Sequence, residues 1–244
     1  MREKNKLSDP NMTMDNATHT YNLATHPELD FVSVTTFISG FFQPFDKERI
    51  AKKLVTTHPK YLGRSPETLI AEWDAAAEYG TIVHKEMEDW IREGIEPKER
   101  KAIVGKNWLN NYKMDIDMDI STEVMVYSKE LRIAGTIDVL VRDRDNGEYQ
   151  IIDWKTSKRI DKNSFKGKVG NRPETSSVMD CNFNHYALQL SLYRYLLEEY
   201  YGIIVDKQLI AHLQDHGAKG HHTPYMREHI IDMIWANDLE VDRK

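Results

Sequence analysis

The sequence predicts an α/β fold, a central mixed sheet flanked by helices, and three observations carry that prediction. Apolar residues recur at helical spacing through much of residues 46–112. The period shortens to two between residues 120 and 154. A long helical stretch from Phe183 then leads into one further apolar strand. With 244 residues, 40% of them hydrophobic, the chain can build a sizeable core and reads as one domain over residues 29–244. Residues 1–28 are polar, contain Asn11, Asp15 and Asn16, and are expected to form a flexible tail.

Phe31 to Ile38 is β-branched and aromatic, which predicts a short strand or an extended lead-in that Gly40 and Pro44 end. Asp46 to Leu54 is a short amphipathic helix. Ser65-Pro66-Glu67 supplies an N-cap, a proline at the first helical position and an acid in the first turn, so a helix is expected from Pro66 to Tyr79. After Gly80, the spacing of Val83, Met87, Trp90 and Ile91 predicts a second helix that stops at Gly94. A third is expected from Pro97 to about Tyr112.

Beyond Asp117 the pattern alternates. Val124 and Val126, then Leu131 and Ile133, mark two strands around a turn at Ser128-Lys129-Glu130. Ile137 to Arg142 extends the second strand, Asp145-Asn146-Gly147 is a hairpin turn, and Tyr149 to Trp154 starts a third strand of an antiparallel meander. Residues 155–180 hold few apolar groups and exceed an ordinary connection, so they are a functional loop or a disordered one. A helix from Phe183 to Tyr201, ended by Gly202, precedes a returning strand over Ile203–Leu213 and a last helix over Tyr225–Leu239.

Charge and cysteine content narrow the function classes. A formal net charge of -6 argues against a protein that coats nucleic acid through bulk positive charge. It leaves room for carboxylates gathered around cations, because a bound metal inverts the local sign. The single cysteine, Cys181, excludes an internal disulfide and any cysteine-based zinc cluster. No run approaches the roughly 18 apolar residues of a membrane span, and the first residues lack a signal peptide's apolar core. An intracellular, cytoplasmic protein is expected, in the host cytoplasm if the chain is viral.

The residues that carry chemistry lie on either side of the Asp145-Asn146-Gly147 turn. Ala134-Gly135-Thr136-Ile137-Asp138 precedes it and Ile151-Ile152-Asp153-Trp154-Lys155 follows it. A hairpin lays these strands side by side, so Asp138 can face Asp153, and Asp153 shares a strand face with Lys155. Two carboxylates beside a lysine at the end of apolar strands suit a hard divalent cation with oxygen ligands. The lysine can hold a water or stabilise charge developing on a phosphate. A solvated strand end would not be expected directly after Ile151-Ile152.

This block resembles the PD-(D/E)xK nuclease superfamily, with Ile137-Asp138 as the first half-motif and Asp153-Trp154-Lys155 as the second. Three features are similar to its RecB-like exonuclease branch. They are the glycine-led helix Gly80-Thr81-Ile82-Val83-His84, the acid Glu123 on the preceding strand, and Gln189-Leu190-Ser191-Leu192-Tyr193 as a Gln-x-x-x-Tyr helix. Ser33-Val34-Thr35-Thr36-Phe37 also resembles the start of such domains. Isoleucine replaces the proline of the superfamily's name. Within the branch the chain is most similar to phage and mitochondrial genome-maintenance exonucleases.

The resemblance implies a restriction-endonuclease-like fold and a divalent-metal-dependent deoxyribonuclease using Mg2+ or Mn2+. Its partner would be DNA, single-stranded or with free ends. It makes His84, Asp138, Asp153 and the Trp154 carbonyl the expected metal ligands, Lys155 the group that positions water, and Gln189 and Tyr193 substrate-proximal. By the residues alone such a histidine is more often packed or hydrogen-bonded in a core than a ligand, and Glu123 is either a ligand through water or a surface acid. Glu88, one turn beyond His84, is a candidate partner for it. Lys158, Arg159, Lys162, Lys166, Lys168 and Arg172 form a basic run opposed only by Asp161 before Glu174, expected to contact phosphates, with Phe165 stacking on a base. Exonuclease action on DNA ends is expected. A structure- or sequence-specific endonuclease and a non-catalytic recombination accessory protein remain the alternatives.

Overall fold

The structure, a computed structural model, describes residues 4–15, 18, 20–112 and 117–241. Asn16 lies outside them. A two-stranded hairpin, β1 (Met12–Asp15) and β2 (Thr20–Leu23), precedes a six-stranded mixed sheet. That sheet contains β3 (Val32–Ser33), β4 (Met118–Ser128), β5 (Ile133–Asp143), β6 (Tyr149–Lys155), β7 (Val205–Gln214) and β8 (Gly217–His222). The helices are α1 (Val34–Ser39), α2 (Lys47–Thr57), α3 (Pro66–Glu93), α4 (Arg100–Tyr112), α5 (Asn182–Leu196) and α6 (Arg227–Val241). The expected α/β class holds.

Strand β5 organises the sheet. Along one side β4 pairs with it antiparallel from Ser128↔Ile133 to Met118↔Asp143. Along the other, β3 pairs in parallel at Ile133 and Ala134, and β6 pairs antiparallel only from Val139 to Arg142. Residues 135–138 therefore present an edge that neither strand covers. Strand β6 leaves β5 there and continues in parallel with β7, Asp153 opposite Ile210 and Lys155 opposite His212.

Helices cover both faces. Phe37 of α1, Leu188 and Leu192 of α5 and Met233 of α6 pack on Ile137, Leu140 and Ile151. Val83 and Met87 of α3 and Leu109 of α4 pack on Val139, Ile152, Trp154 and Leu213 from the other side. Burying each such side chain is worth about 1.5–3 kcal/mol, so the two layers fix where the strand ends lie.

One irregularity bears on the site. Met118 and Ile120 of β4 pack into the α3–α4 layer, whereas Val124 and Val126 pack into the α5 layer, although all four are even-numbered. Alternation slips by one residue at Glu123, whose φ is +51°. The register puts Glu123 opposite Asp138, and the ladder skips that one pair. On β5 the same slip separates Ile137 from Val139.

Several elements depart from expectation. Residues 31–38 are a strand only at Val32–Ser33; Ser33 then caps α1 by accepting the Thr36 N–H at 3.0 Å, and Val34, Phe37 and Ile38 bury at helical spacing. The two helices expected on either side of Gly80 are one 28-residue helix. A Cβ at Gly80 would lie 3.0 Å from Thr156 Oγ1, so the glycine serves the close crossing of α3 over the end of β6 and not a helix stop. The next helix starts at Arg100 and not at Pro97. Residues expected as a flexible tail contain the β1–β2 hairpin, with Met12, Tyr21 and Leu23 buried against Tyr127 and Ala134. Asp9 accepts the Tyr127 hydroxyl proton at 2.6 Å. Strand β8 was unforeseen, because Gly-Ala-Lys-Gly-His-His carries no apolar alternation.

Candidate active site

Asp138 stands where β5 and β6 part. Its Oδ2 accepts the Trp154 backbone N–H at 2.8 Å, so the carboxylate bridges the gap the diverging strands leave. The same oxygen faces His84 Nδ1 at 3.5 Å. His84 comes from α3, held down by Val83 and Met87, which are fully buried on its neighbouring turns. His84 Nε2 lies 3.0 Å from the Trp154 carbonyl and donates to it, which turns Nδ1 toward the carboxylates. One residue of β6 thus orients Asp138 through its N–H and His84 through its C=O.

Glu123 completes the group from β4. One ligand atom each of His84, Glu123 and Asp138 lies within 4.8 Å of the others. Metal bonds of about 2.1 Å place two donors up to about 4.2 Å apart, so this set needs to close by well under 1 Å around an ion. Nitrogen plus two carboxylate oxygens suits Mn2+ as well as Mg2+. Left-handed backbone at a non-glycine residue costs about 1–3 kcal/mol and concentrates at functional positions.

Asp153 turns away from this trio toward α5. It is 2% exposed. Its Oδ2 meets Lys155 Nζ at 2.6 Å without the alignment of a hydrogen bond, and its Oδ1 accepts from Gln189 Nε2 at 3.3 Å. Gln189 also reaches the Tyr193 hydroxyl at 3.4 Å. The Lys155 ammonium sits 4.7 Å over the Tyr186 ring, one turn before Gln189 on the same helix face. Gly135 makes the approach of α5 possible, since a Cβ there would fall 2.5 Å from Tyr193 Cε1 and 2.9 Å from Val34 Cγ2.

The electrostatics express crowding of like charge. Burial and then repulsion from Asp138 push the Glu123 carboxyl up to about 7. Burial pushes Asp153 up to about 6, against the opposing pull of Lys155. For Asp138, burial is outweighed by His84, Lys155 and the Trp154 N–H, and its carboxyl titrates below the usual range. His84 and Lys155 are both raised, because the carboxylates overcome the burial that disfavours their charge. Buried acids with raised values and a poorly satisfied Oδ2 on Asp153 are what a divalent ion would relieve.

The trio opens into a cleft of about 790 Å³, whose walls include Gly80, Lys85, Glu88, Arg92, Met125 and Thr136. Met14 of β1 lines it too, and Tyr21 of β2 bonds Thr136 at 3.0 Å. Neither was anticipated. Only the two-residue spacing of apolar groups in β1 and β2 hinted at a packed hairpin. Glu88 does not partner His84; it pairs with Arg92 and, at 3.1 Å, with Lys85. The Trp154 carbonyl, expected as a metal ligand, is the acceptor that fixes His84, which uses one of its two lone pairs.

The basic run after Lys155 is a built loop with 3-10 turns at Phe165–Gly167 and Pro173–Thr175 and a bridge between Val169 and Met179. Buried Thr175 anchors it by donating to the Phe41 carbonyl at 2.9 Å. Arg172 stacks on Phe41 at 4.5 Å and faces Glu174, and Lys168 bonds Gln43 at 3.0 Å, so these two brace the loop. Lys158, Arg159, Lys162, Phe165 and Lys166 lie on its surface, Phe165 at 73% exposure. Arg159 faces Asp161 at 3.4 Å and Lys162 covers Phe183.

Residues 109–229, from the end of α4 into α6, match the family model of the PD-(D/E)XK nuclease superfamily. The chain belongs to this superfamily. The match contains Glu123, Asp138, Asp153, Lys155, Gln189 and Tyr193, and leaves out His84 and the N-terminal hairpin. Among solved structures the nuclease is similar to SSO0001, at 16% identity and a TM-score of 0.37, over 86% of this chain and 75% of that one. No curated protein matches. Superfamily membership and the acidic trio make the protein a metal-dependent nuclease acting on nucleic acid. Among the described residues no helix is long and apolar enough to cross a membrane.

Proposed function

We propose that the nuclease is a deoxyribonuclease of the RecB-like branch that degrades DNA from its ends, prefers single strands and uses Mg2+ or Mn2+. The observation that carries this reading is the meeting of His84, Glu123 and Asp138 beside the Asp153–Lys155 pair at the uncovered edge of β5. Gln189 on Asp153 and His84 on Trp154 tie the two helices of that branch to the same centre.

A divalent ion held by His84, Glu123, Asp138 and Asp153 would polarise the scissile phosphate and acidify a water. Lys155, a charged ammonium held 2.6 Å from Asp153, positions that water and offsets charge developing on the phosphate oxygens. Gln189 fixes Asp153 through Oδ1 and leaves Oδ2, beside Lys155, without a hydrogen-bond partner. The products are a 5'-phosphate and a 3'-hydroxyl. Exposed Lys158, Arg159, Lys162 and Lys166 contact the phosphates and Phe165 a base. We place the activity on intracellular DNA, in repair, recombination or a phage cycle.

End-labelled single- and double-stranded DNA, incubated with each metal, tests the reading. Asp153→Ala and Lys155→Ala should abolish degradation while leaving the fold intact. Folded variants that still degrade DNA would overturn the assignment. Covalently closed circular single strands should survive, and their cleavage would make the protein an endonuclease.

A further inference from the structure

The face of α3 that lines the cleft does not end at the cleft. His84, Gly80 and Ala77 are lining residues, and Trp73 lies 11, 7 and 4 residues before them, on the same face of one uninterrupted helix. Along a helix that separation is about 16 Å from Trp73 to His84. Residues 74–78 between them are all exposed, and Lys47 of α2 reaches the first of them, Asp74. Phe45, 64% exposed in the segment before α2, meets Trp73 edge-on with ring centroids 5.6 Å apart. An exposed ring resting on a half-buried one, in line with a metal centre, is costly to leave in water and needs a reason.

Charge gives the occupant. In a chain of net charge -6, two stretches are strongly basic. Residues 47–64 carry Lys47, Arg49, Lys52, Lys53, Lys60 and Arg64 against Glu48 alone, and the second is the loop after Lys155. Both reach Glu72, next to Trp73. Arg64 bonds its carboxylate, and Lys158 and Lys60 add to the attraction that holds it below the usual range. The aromatic pair is therefore flanked by cations from two separate segments. Arg64 and Lys47 are paired with Glu72 and Asp74 of α3, and the surrounding Lys52, Lys53, Lys60 and Lys158 are exposed. A stacking surface among exposed cations fits a nucleic acid strand whose bases are unpaired.

We propose that Phe45 and Trp73 form a base-stacking subsite for single-stranded nucleic acid, about 16 Å up α3 from His84, that holds the strand whose end occupies the cleft. The proposal rests on the nuclease reading above and adds a substrate-binding site outside the matched family segment. A duplex has no free base faces to offer there, so the subsite selects unpaired strands and contributes to binding and not to bond cleavage.

The test separates binding from chemistry. Binding of a fluorescein-labelled 20-nucleotide oligo(dT) is followed by anisotropy in EDTA, and hydrolysis is followed with Mn2+ on the same strand and on bis(p-nitrophenyl) phosphate, which is too short to reach Phe45. Phe45→Ala should bind oligo(dT) about 5- to 100-fold more weakly and raise KM to match, with kcat and hydrolysis of the small diester unchanged. Phe45→Trp should restore binding, which a merely structural loss would not allow. Unchanged oligo(dT) affinity in Phe45→Ala, an equal loss for a blunt duplex, or no binding by the wild type would each overturn the subsite. Wild-type binding that responds to Phe45→Ala, without metal-dependent cleavage, would overturn the nuclease reading and leave the subsite standing.

Discussion

Glu123→Gln should make the protein more stable while removing a metal ligand. Burial and Asp138 hold the Glu123 carboxyl at about 7 in the native state, against 4.5 when unfolded. The native state therefore binds more protons between those values, and stability falls as pH rises from about 4.5 through 7. A shift of that size corresponds to about 3 kcal/mol, fully lost above pH 7. Glutamine keeps the shape without the charge. In urea melts with EDTA, wild type and variant should match at pH 4 and diverge with pH. At pH 8 the variant should be ahead by about 3 kcal/mol, or roughly 6–12 °C in Tm. Adding millimolar Mn2+ should restore the wild type, because an ion that binds only the native state stabilises it by mass action, and should do little for the variant. A variant less stable than wild type at pH 8 in EDTA would refute the reasoning, since Glu123 would then be satisfied by the protein alone.

Three further outcomes follow from the same centre. Metal affinity should rise with pH through 7, because protons on Glu123, Asp153 and His84 compete with the ion; calorimetry in two buffers of different ionisation enthalpy should detect more proton release at pH 6 than at pH 8.5. Gly135→Ala should destabilise by about 1–3 kcal/mol in denaturant melts, as its Cβ drives Tyr193 off β5, and an unchanged midpoint would show that α5 yields freely. Gln189→Leu should lower kcat by about 10–100-fold with KM little changed, since Asp153 loses the donor that aims it; a pure KM effect would make Gln189 a substrate contact instead.

Much of the centre was legible because its parts are local. The Asp145-Asn146-Gly147 turn forces Asp138 and Asp153 together, and a spacing of two aligns Lys155 with Asp153 whatever surrounds them. Gln189 and Tyr193, four apart, share a helix face for the same reason. What depends on tertiary contact was not legible. Whether Gly80 breaks a helix or lets it cross Thr156 is decided by a residue 76 positions away. That the Trp154 carbonyl also holds the His84 ring rests on a contact between residues 70 positions apart. Glu123 stayed open because strand alternation assigns faces only while the phase holds, and the phase slips at that residue. Arg172 and Lys168 looked like the rest of their basic run until Phe41 and Gln43 claimed them.

The uninterrupted α3 behaves mechanically as a cantilever. Its clamped end is the half in which Val83 and Met87 are sealed against the sheet; its free arm, beyond Gly80, is bare over residues 74–78 and is stiffened by α2, with Ala51 and Leu69 buried. His84 sits just inside the clamp. Any bending of the arm would displace Trp73 more than the imidazole. The metal centre keeps its geometry while the outer end of the helix stays free to accommodate whatever it meets, and hydrogen exchange should show this as fast amides before Gly80 and slow ones after it.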